Sequence, residues 1–249
     1  MRVEQGVTPR GRLSVILALA VSLAAFAVLI VLGNWQMQRL QWKEQLIATI
    51  EARVHAEPRP LAEVLGAGPA VSDLEYTPVT LQGVFVHSAE RHFFATWDGA
   101  SGFFVYTPLR RPQGDYVFVN RGFVPYDLKD PARRPQSQPE GPVTVTGLLR
   151  APLVEKPSSI LPDNDLAKNL FYWKDIRAMA ETSGLPADAS ILGVFVDADA
   201  TANPGGLPVG GVTLIDLPNN HLQYAVTWYG LAAALAAVFG VWLWRYVRR

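Results

Sequence analysis

Asn219-Asn220-His221-Leu222-Gln223-Tyr224-Ala225-Val226-Thr227-Trp228 is the stretch on which the fold turns, because polar sequence there gives way to apolar sequence. From Ala225 to Trp244 no residue is charged. About twenty helical residues at ~1.5 Å each span the roughly 30 Å of bilayer hydrocarbon. His221 therefore stands at the mouth of an expected membrane helix, with two amides before it and Tyr224 and Trp228 just below. A neutral imidazole in that position can offer a ring nitrogen to a metal centre at the edge of a dry environment. The same residues also have a plainer use. Asn219, Asn220 and His221 can satisfy the open N–H groups of a helix start, with the aromatics forming an interfacial belt. Residue types alone leave both readings open.

The other uncharged run, Leu13 to Gly33, is also long enough to cross a membrane. A secretory signal has a shorter apolar core, about 7–15 residues. Ala25-Phe26-Ala27 resembles a cleavage box, but Leu29-Ile30-Val31-Leu32 continues the run beyond it, so the reading is an uncleaved anchor. Arg2, Arg10 and Arg12 precede it against one acid, Glu4, and Arg245, Arg248 and Arg249 follow the second run. By the positive-inside rule both termini belong in the cytoplasm. The expected order is residues 1–12 cytoplasmic, 13–33 a transmembrane helix, 34–220 a domain on the far side, 222–244 a second transmembrane helix and 245–249 cytoplasmic. In a bacterium the far side is the periplasm. Small residues recur at four-residue spacing (Ala18 and Ser22; Gly230 and Ala234; Ala236 and Gly240), a pattern that permits close helix approach in lipid.

Between the spans the period changes. Trp35, Trp42, Leu46, Ile50 and Val54 keep helical spacing, so the first helix is expected to run on until Glu57–Pro60 ends it. Then come short runs rich in β-branched and aromatic residues: Val79 to Val86 around Gly83, Arg91 to Ala95, Phe103 to Tyr106, Tyr116 to Val119, Val143 to Leu149 and Ile191 to Val196. Pro125 to Pro142 reads as an irregular surface loop. Leu170, Trp173, Ile176, Arg177 and Ala180 mark one helix within 164–182, stopped by Gly184 and Pro186. The expected fold class is membrane α+β: two transmembrane helices flanking a periplasmic antiparallel β-rich domain, a sheet or open barrel, with one or two helices.

Composition narrows function. The 249 residues carry zero formal net charge, so no basic footprint for nucleic acid exists. Cysteine is absent, which removes disulfides, thiolate metal sites and Cys nucleophiles. No G-x-S-x-G elbow, phosphate-binding G-x-x-x-x-G-K-[ST] loop or H-E-x-x-H helix occurs. Nothing pairs a nucleophile with a base, so an enzyme is not expected. Of four histidines, His55, His87 and His92 read as ordinary surface side chains. Arg121, in Asn120-Arg121-Gly122, can pair with a carboxylate of the domain or hold a ligand's carboxylate bidentately; Arg39 is the other candidate for the latter.

Leu32-Gly33-Asn34-Trp35-Gln36-Met37-Gln38-Arg39 with Trp42-Lys43, then Gly102, Thr107-Pro108-Leu109, Val119-Asn120-Arg121-Gly122, Gly147-Leu148-Leu149-Arg150, the Pro162–Asp175 block and Asn219 to Trp228 together resemble one family. It is the Surf1 (Shy1-like) family of assembly factors of haem–copper cytochrome c oxidase. The likeness covers nearly the whole chain and is most specific at its two ends. Phe123 departs from the Trp common in the family. The lack of a mitochondrial presequence makes this look like a bacterial member, in the inner membrane. The resemblance implies a two-span protein that matures the oxidase's catalytic subunit I, at the step of haem a insertion, alongside haem a biosynthesis or delivery proteins. It places His221 at the histidine associated with that haem. On that reading Trp228 and Tyr224 lie against the porphyrin, small Ala225 leaves room beside the imidazole, and Arg39 or Arg121 meets the propionates. Topology brings Trp35 and Arg39 towards His221. The alternative is a scaffold that holds the nascent subunit without touching its cofactor.

Overall fold

The structure, a computed structural model, describes residues 9–68, 70–213, 215 and 217–248, with side chains from Leu13 onward. Arg2, Arg10, Arg12 and Arg249, on which much of the charge-based topology rests, therefore lie outside the described side chains. Two positions of the expected return segment Val212–Leu217 lie outside the described residues as well. The chain divides into two compact units, Met1–Thr49 with Asp216–Arg249, and Ile50–Ile215.

The first unit is made from two helices. α1 (Pro9–Val54) is continuous from the apolar run into the polar segment, as the helical spacing of Trp35 to Val54 predicts. α4 (His221–Val247) begins at the histidine of the opening stretch and follows Asn220, which makes no side-chain capping bond. Both are long and apolar enough to cross a membrane.

The second unit is a β-barrel. Its elements in order are β1 (Arg59–Pro60), α2 (Leu61–Gly66), β2 (Pro78–Phe85), β3 (Arg91–Trp97), β4 (Ala100–Arg110), β5 (Tyr116–Pro125), β6 (Pro142–Arg150), α3 (Ile176–Thr182) and β7 (Ile191–Ala198). The strand order β1-β2-β6-β7-β5-β4-β3 closes through an added pairing of β2 with β4, at Val84↔Arg110 and Phe85↔Leu109. Gly83 permits that closure, since a Cβ there would collide with the Arg110 carbonyl. The antiparallel expectation needs correction at two places: β1 runs parallel to β2, and β7 parallel to β5. The chain from β5 to its parallel neighbour β7 passes through β6 and the long 151–190 segment that holds α3, ample length for the crossover that parallel neighbours require.

Alternation sorts the side chains. Val79, Leu81, Leu109, Val117, Val119, Leu149, Val194 and Val196 form one cluster, and Leu61 and Val64 of α2 pack with it. The opposite parity of β4, β5 and β7 supplies Tyr106, Phe118 and Phe195, which join Phe171 and Met179, the latter from α3. The expected helix of 164–182 shrinks to α3. Asp175 accepts a hydrogen bond from the Ala178 N–H and caps it there. Upstream, Asn164 Oδ1 accepts from the N–H groups of Tyr172 and Trp173, and Phe171 bridges to Phe93 in strand fashion, so those residues are extended. The 125–142 loop is likewise less superficial than its proline content implies: it winds through three 3-10 turns and buries Arg134 and Ser137.

Candidate functional site

The opening stretch meets the first helix through side chains. His221 is half-buried, and its Nδ1 lies 2.7 Å from Gln36 Oε1, which is itself buried. A carboxamide oxygen only accepts, so Nδ1 is the donor in this contact, and in the neutral imidazole Nε2 then holds the lone pair. Lower down, the Tyr229 hydroxyl donates to Asn34 Oδ1 at 2.7 Å. The Tyr229 ring also lies over Gly33, where an added Cβ would sit 2.5 Å from it. Gly33 is thus a contact position, small so that an aromatic from α4 can cover its backbone.

Those contacts orient the pair. At about 100° per residue, Tyr229 lies on one flank of α4 relative to His221, while Tyr224 and Trp228 lie on the other. On α1, Gly33 and Asn34 lie on the Tyr229 flank relative to Gln36, and Trp35 and Arg39 lie on the opposite one. Four expected site residues therefore border one flank of the helix pair, with His221 at its seam. Trp35 and Tyr224 are exposed and Trp228 is half-buried. The Arg39 guanidinium lies 4.3 Å over the Trp42 ring, one helical turn beyond Gln36 towards the polar end.

Ala225 belongs elsewhere. It is 1% exposed, as is Ala232 seven residues on, and both fall on the seam side of α4. The space beside Ala225 is thus filled, and the exposed side next to His221 is the Tyr224–Trp228 flank. The spacing motifs of α4 are not the contact face: a Cβ at Gly230 or Gly240 would meet nothing within 4 Å.

Arg121 is in the barrel unit and almost wholly buried. Its parity with Val117 and Val119 turns it inward, next to an irregularity in the β4–β5 register. It pairs with no carboxylate. Its Nη2 donates to the Ser137 carbonyl at 2.5 Å and to Asn203 Oδ1 at 3.1 Å, and the guanidinium covers the Phe85 ring at 4.8 Å.

Two histidines expected on the surface are not there. His92 is buried, and its Nε2 meets Glu90 Oε1 at 2.8 Å; the same oxygen accepts from Arg134. Burial alone would raise the Glu90 carboxyl, but the His92 hydrogen bond and Arg134 outweigh it and hold the carboxyl below its ordinary range. His87 is half-buried, with Nε2 donating to the Pro139 carbonyl at 3.0 Å, and burial pushes its pKa down. Sequence reading missed a second network as well. Buried Asp197 accepts from Asn120 (3.1 Å), Arg150 (2.8 Å) and Thr213 (3.0 Å), and Arg150 also bonds Glu75 at 2.6 Å. The signal available was an Asp interrupting the apolar strand that ends Val194-Phe195-Val196. Its partners come from distant strands and loops.

A β-barrel unit placed in sequence between two long apolar helices, the start of the second meeting the first through a histidine and a glutamine, is the class these features define. A model of the SURF1 family matches residues 23–233. Surfeit locus protein 1 from Rattus norvegicus is 37% identical over 235 residues, covering 88% of this chain and 72% of the relative. The Homo sapiens protein of that name is 37% identical over 235 residues, with 87% and 73% covered. A SURF1-like protein from Drosophila melanogaster is 30% identical over 221 residues, with 82% and 70% covered. The chain belongs to the SURF1 family.

Proposed function

We propose that this protein is a membrane-anchored, non-catalytic assembly factor for haem–copper cytochrome c oxidase, and that it holds haem a as cargo for insertion into subunit I. The observation that carries the haem reading is the His221–Gln36 contact. A histidine that ligates a metal almost always donates its other ring N–H to a fixed acceptor, which sets the tautomer and the ring orientation. Gln36 provides that acceptor and leaves Nε2 as a free lone-pair donor, so the residues present fit an axial ligand. The iron would supply the acceptor for that lone pair. Trp35, Tyr224 and Trp228 offer an apolar flank for a macrocycle. Arg39 lies towards the polar end, where a guanidinium suits a propionate. Arg121 lies in the barrel unit and has no part in this reading.

The two long helices are read as transmembrane, with the barrel on the periplasmic side of a bacterial inner membrane. Haem a biosynthesis or delivery proteins are the expected donors, subunit I the acceptor and lipid the surroundings of α1 and α4.

The test is the absorption spectrum of protein purified from cells that make haem a. A Soret band is expected in the wild-type chain, and its loss in His221→Ala with the circular dichroism unchanged. Full haem occupancy in folded His221→Ala protein removes the axial-ligand role. The scaffold reading, in which the subunit is held without its cofactor, then replaces it.

A further inference from the structure

The barrel unit leaves side-chain polar atoms of His87, Glu90, Tyr106, Thr107 and Arg121 buried and unpaired, and His87, Glu90 and Arg121 feel one another's charge. His87 Nδ1, Glu90 Oε2 and both Nε and Nη1 of Arg121 are buried without a hydrogen-bond partner. Buried polar groups are nearly always paired, so each one calls for an account. Arg121 is the most unusual of them. Its Nη2 is satisfied by Ser137 and Asn203, yet among the described residues no carboxylate lies within ion-pair distance. The acid whose field it feels is Glu90, whose Oε1 is already shared by His92 and Arg134. Two buried guanidinia thus depend on one carboxylate. Burial lowers the Arg121 pKa only to about 10, so it stays charged at neutral pH.

The Arg121 guanidinium lines a cavity of about 210 Å³ at the end of the barrel, together with Phe85, Val143, Val145, Thr146 and Thr201. Pro139, Ala198, Ala202 and Pro204 add to its apolar lining, and Thr144 and Asn203 join Arg121, Thr146 and Thr201 among the polar residues. Asp199 also borders the cavity, but its Oδ1 accepts from the Thr201 N–H and it is not among the charges that Arg121 feels. Sites for drug-sized ligands start at about 300 Å³, so an occupant here is smaller.

We infer that this mouth of the barrel binds a small organic monocarboxylate, its oxygens towards Arg121 and its short apolar tail along Phe85, Val143 and Val145. The carboxylate supplies the missing counter-charge and accepts from a guanidinium nitrogen that now has no acceptor. Nε and Nη1 are closed off from bulk water, so full engagement requires the Ala202–Pro204 segment of the wall to shift. The site is independent of the haem reading, because it lies wholly within the barrel unit and uses none of the helix residues.

The test uses the full-length protein in detergent, titrated with sodium butyrate and, at equal ionic strength, with sodium chloride. Calorimetry and the thermal midpoint are both read. A ligand that binds only the folded state raises the midpoint saturably. Butyrate is expected to do so and chloride is not. Ala202→Trp, made at an exposed wall position, is expected to abolish the butyrate effect without changing the circular dichroism. Arg121→Lys is expected to weaken butyrate by about tenfold or more, since an ammonium lacks the planar fork. If the lysine variant does not fold, Ala202→Trp decides the matter alone. An equal midpoint shift with chloride, no saturable shift with butyrate, or full butyrate binding by folded Ala202→Trp protein overturns the proposal.

Discussion

His221 and Gln36 form a pair whose chemistry is set by which atom carries a proton. With Gln36 accepting from Nδ1, the imidazole is fixed in one tautomer and one orientation. Gln36→Leu preserves the size of the side chain and removes that acceptor. Haem retention is expected to fall about 10- to 100-fold, the usual effect of losing a partner behind a ligating histidine. Titration of haem against the purified variant checks this. Arg39→Ala is expected to weaken retention less than His221→Ala, because the guanidinium lies at the exposed polar end and holds no iron. The same titration compares the two. Gly33 carries a different prediction. Leucine at that position must displace the Tyr229 ring, and the helix pair is expected to loosen. Disulfide cross-linking between cysteines introduced at positions 34 and 229 reports that loosening as a lower yield.

At the scale of elements, the turn after β2 and the strand β3 hold the group most sensitive to pH. Glu90 is buried between His92 and Arg134, and Glu90→Gln breaks a buried ion pair. The expected destabilisation is about 3–5 kcal/mol, read from urea unfolding. The pH dependence follows from two depressed pKa values. Glu90 lies below its ordinary 4.5 in the folded chain, so its contribution is present above that value and is lost as pH falls through the folded pKa. His87 lies below its ordinary 6.5, so the unfolded chain takes up its proton first. Both make the unfolded state bind more protons on acidification, and stability therefore falls with pH from about 6.5 downward. Thermal midpoints between pH 7 and pH 4 test the direction. Strand existence was legible at this scale because alternation and β-branching are local. β1 and α2 were not, since two strand residues and a six-residue helix carry too little pattern. The 170–175 segment has helical spacing yet is extended: the Phe93 bridge and the Asn164 bonds outweigh local preference. His92 was misread for a related reason. Its partners Glu90 and Arg134 are buried by barrel closure, which is a non-local event that flanking residues do not announce.

At the scale of the whole molecule, the two ends of the domain were the most legible part, because uncharged length is a direct physical requirement for crossing a bilayer. The flank on which Trp35, Arg39, Tyr224 and Trp228 meet was only partly legible. Topology alone brings the residues near one another, but the Tyr229–Asn34 contact is needed to choose the side. Reporter fusions after Arg249 are expected to be active in the cytoplasm, and fusions within the 125–142 loop in the periplasm. The reverse pattern would sink the topology.

Gln36 and His221 are 185 positions apart, and most of what lies between them, Ile50–Ile215, folds into a separate unit. During synthesis the barrel can therefore finish while its partner helix is still inside the ribosome. A chain cut short between Ile215 and His221 contains every residue of the barrel unit and lacks the whole of α4. The His221–Gln36 contact can form only once α4 has been made, so the order of synthesis allows the barrel to fold before the helices pair.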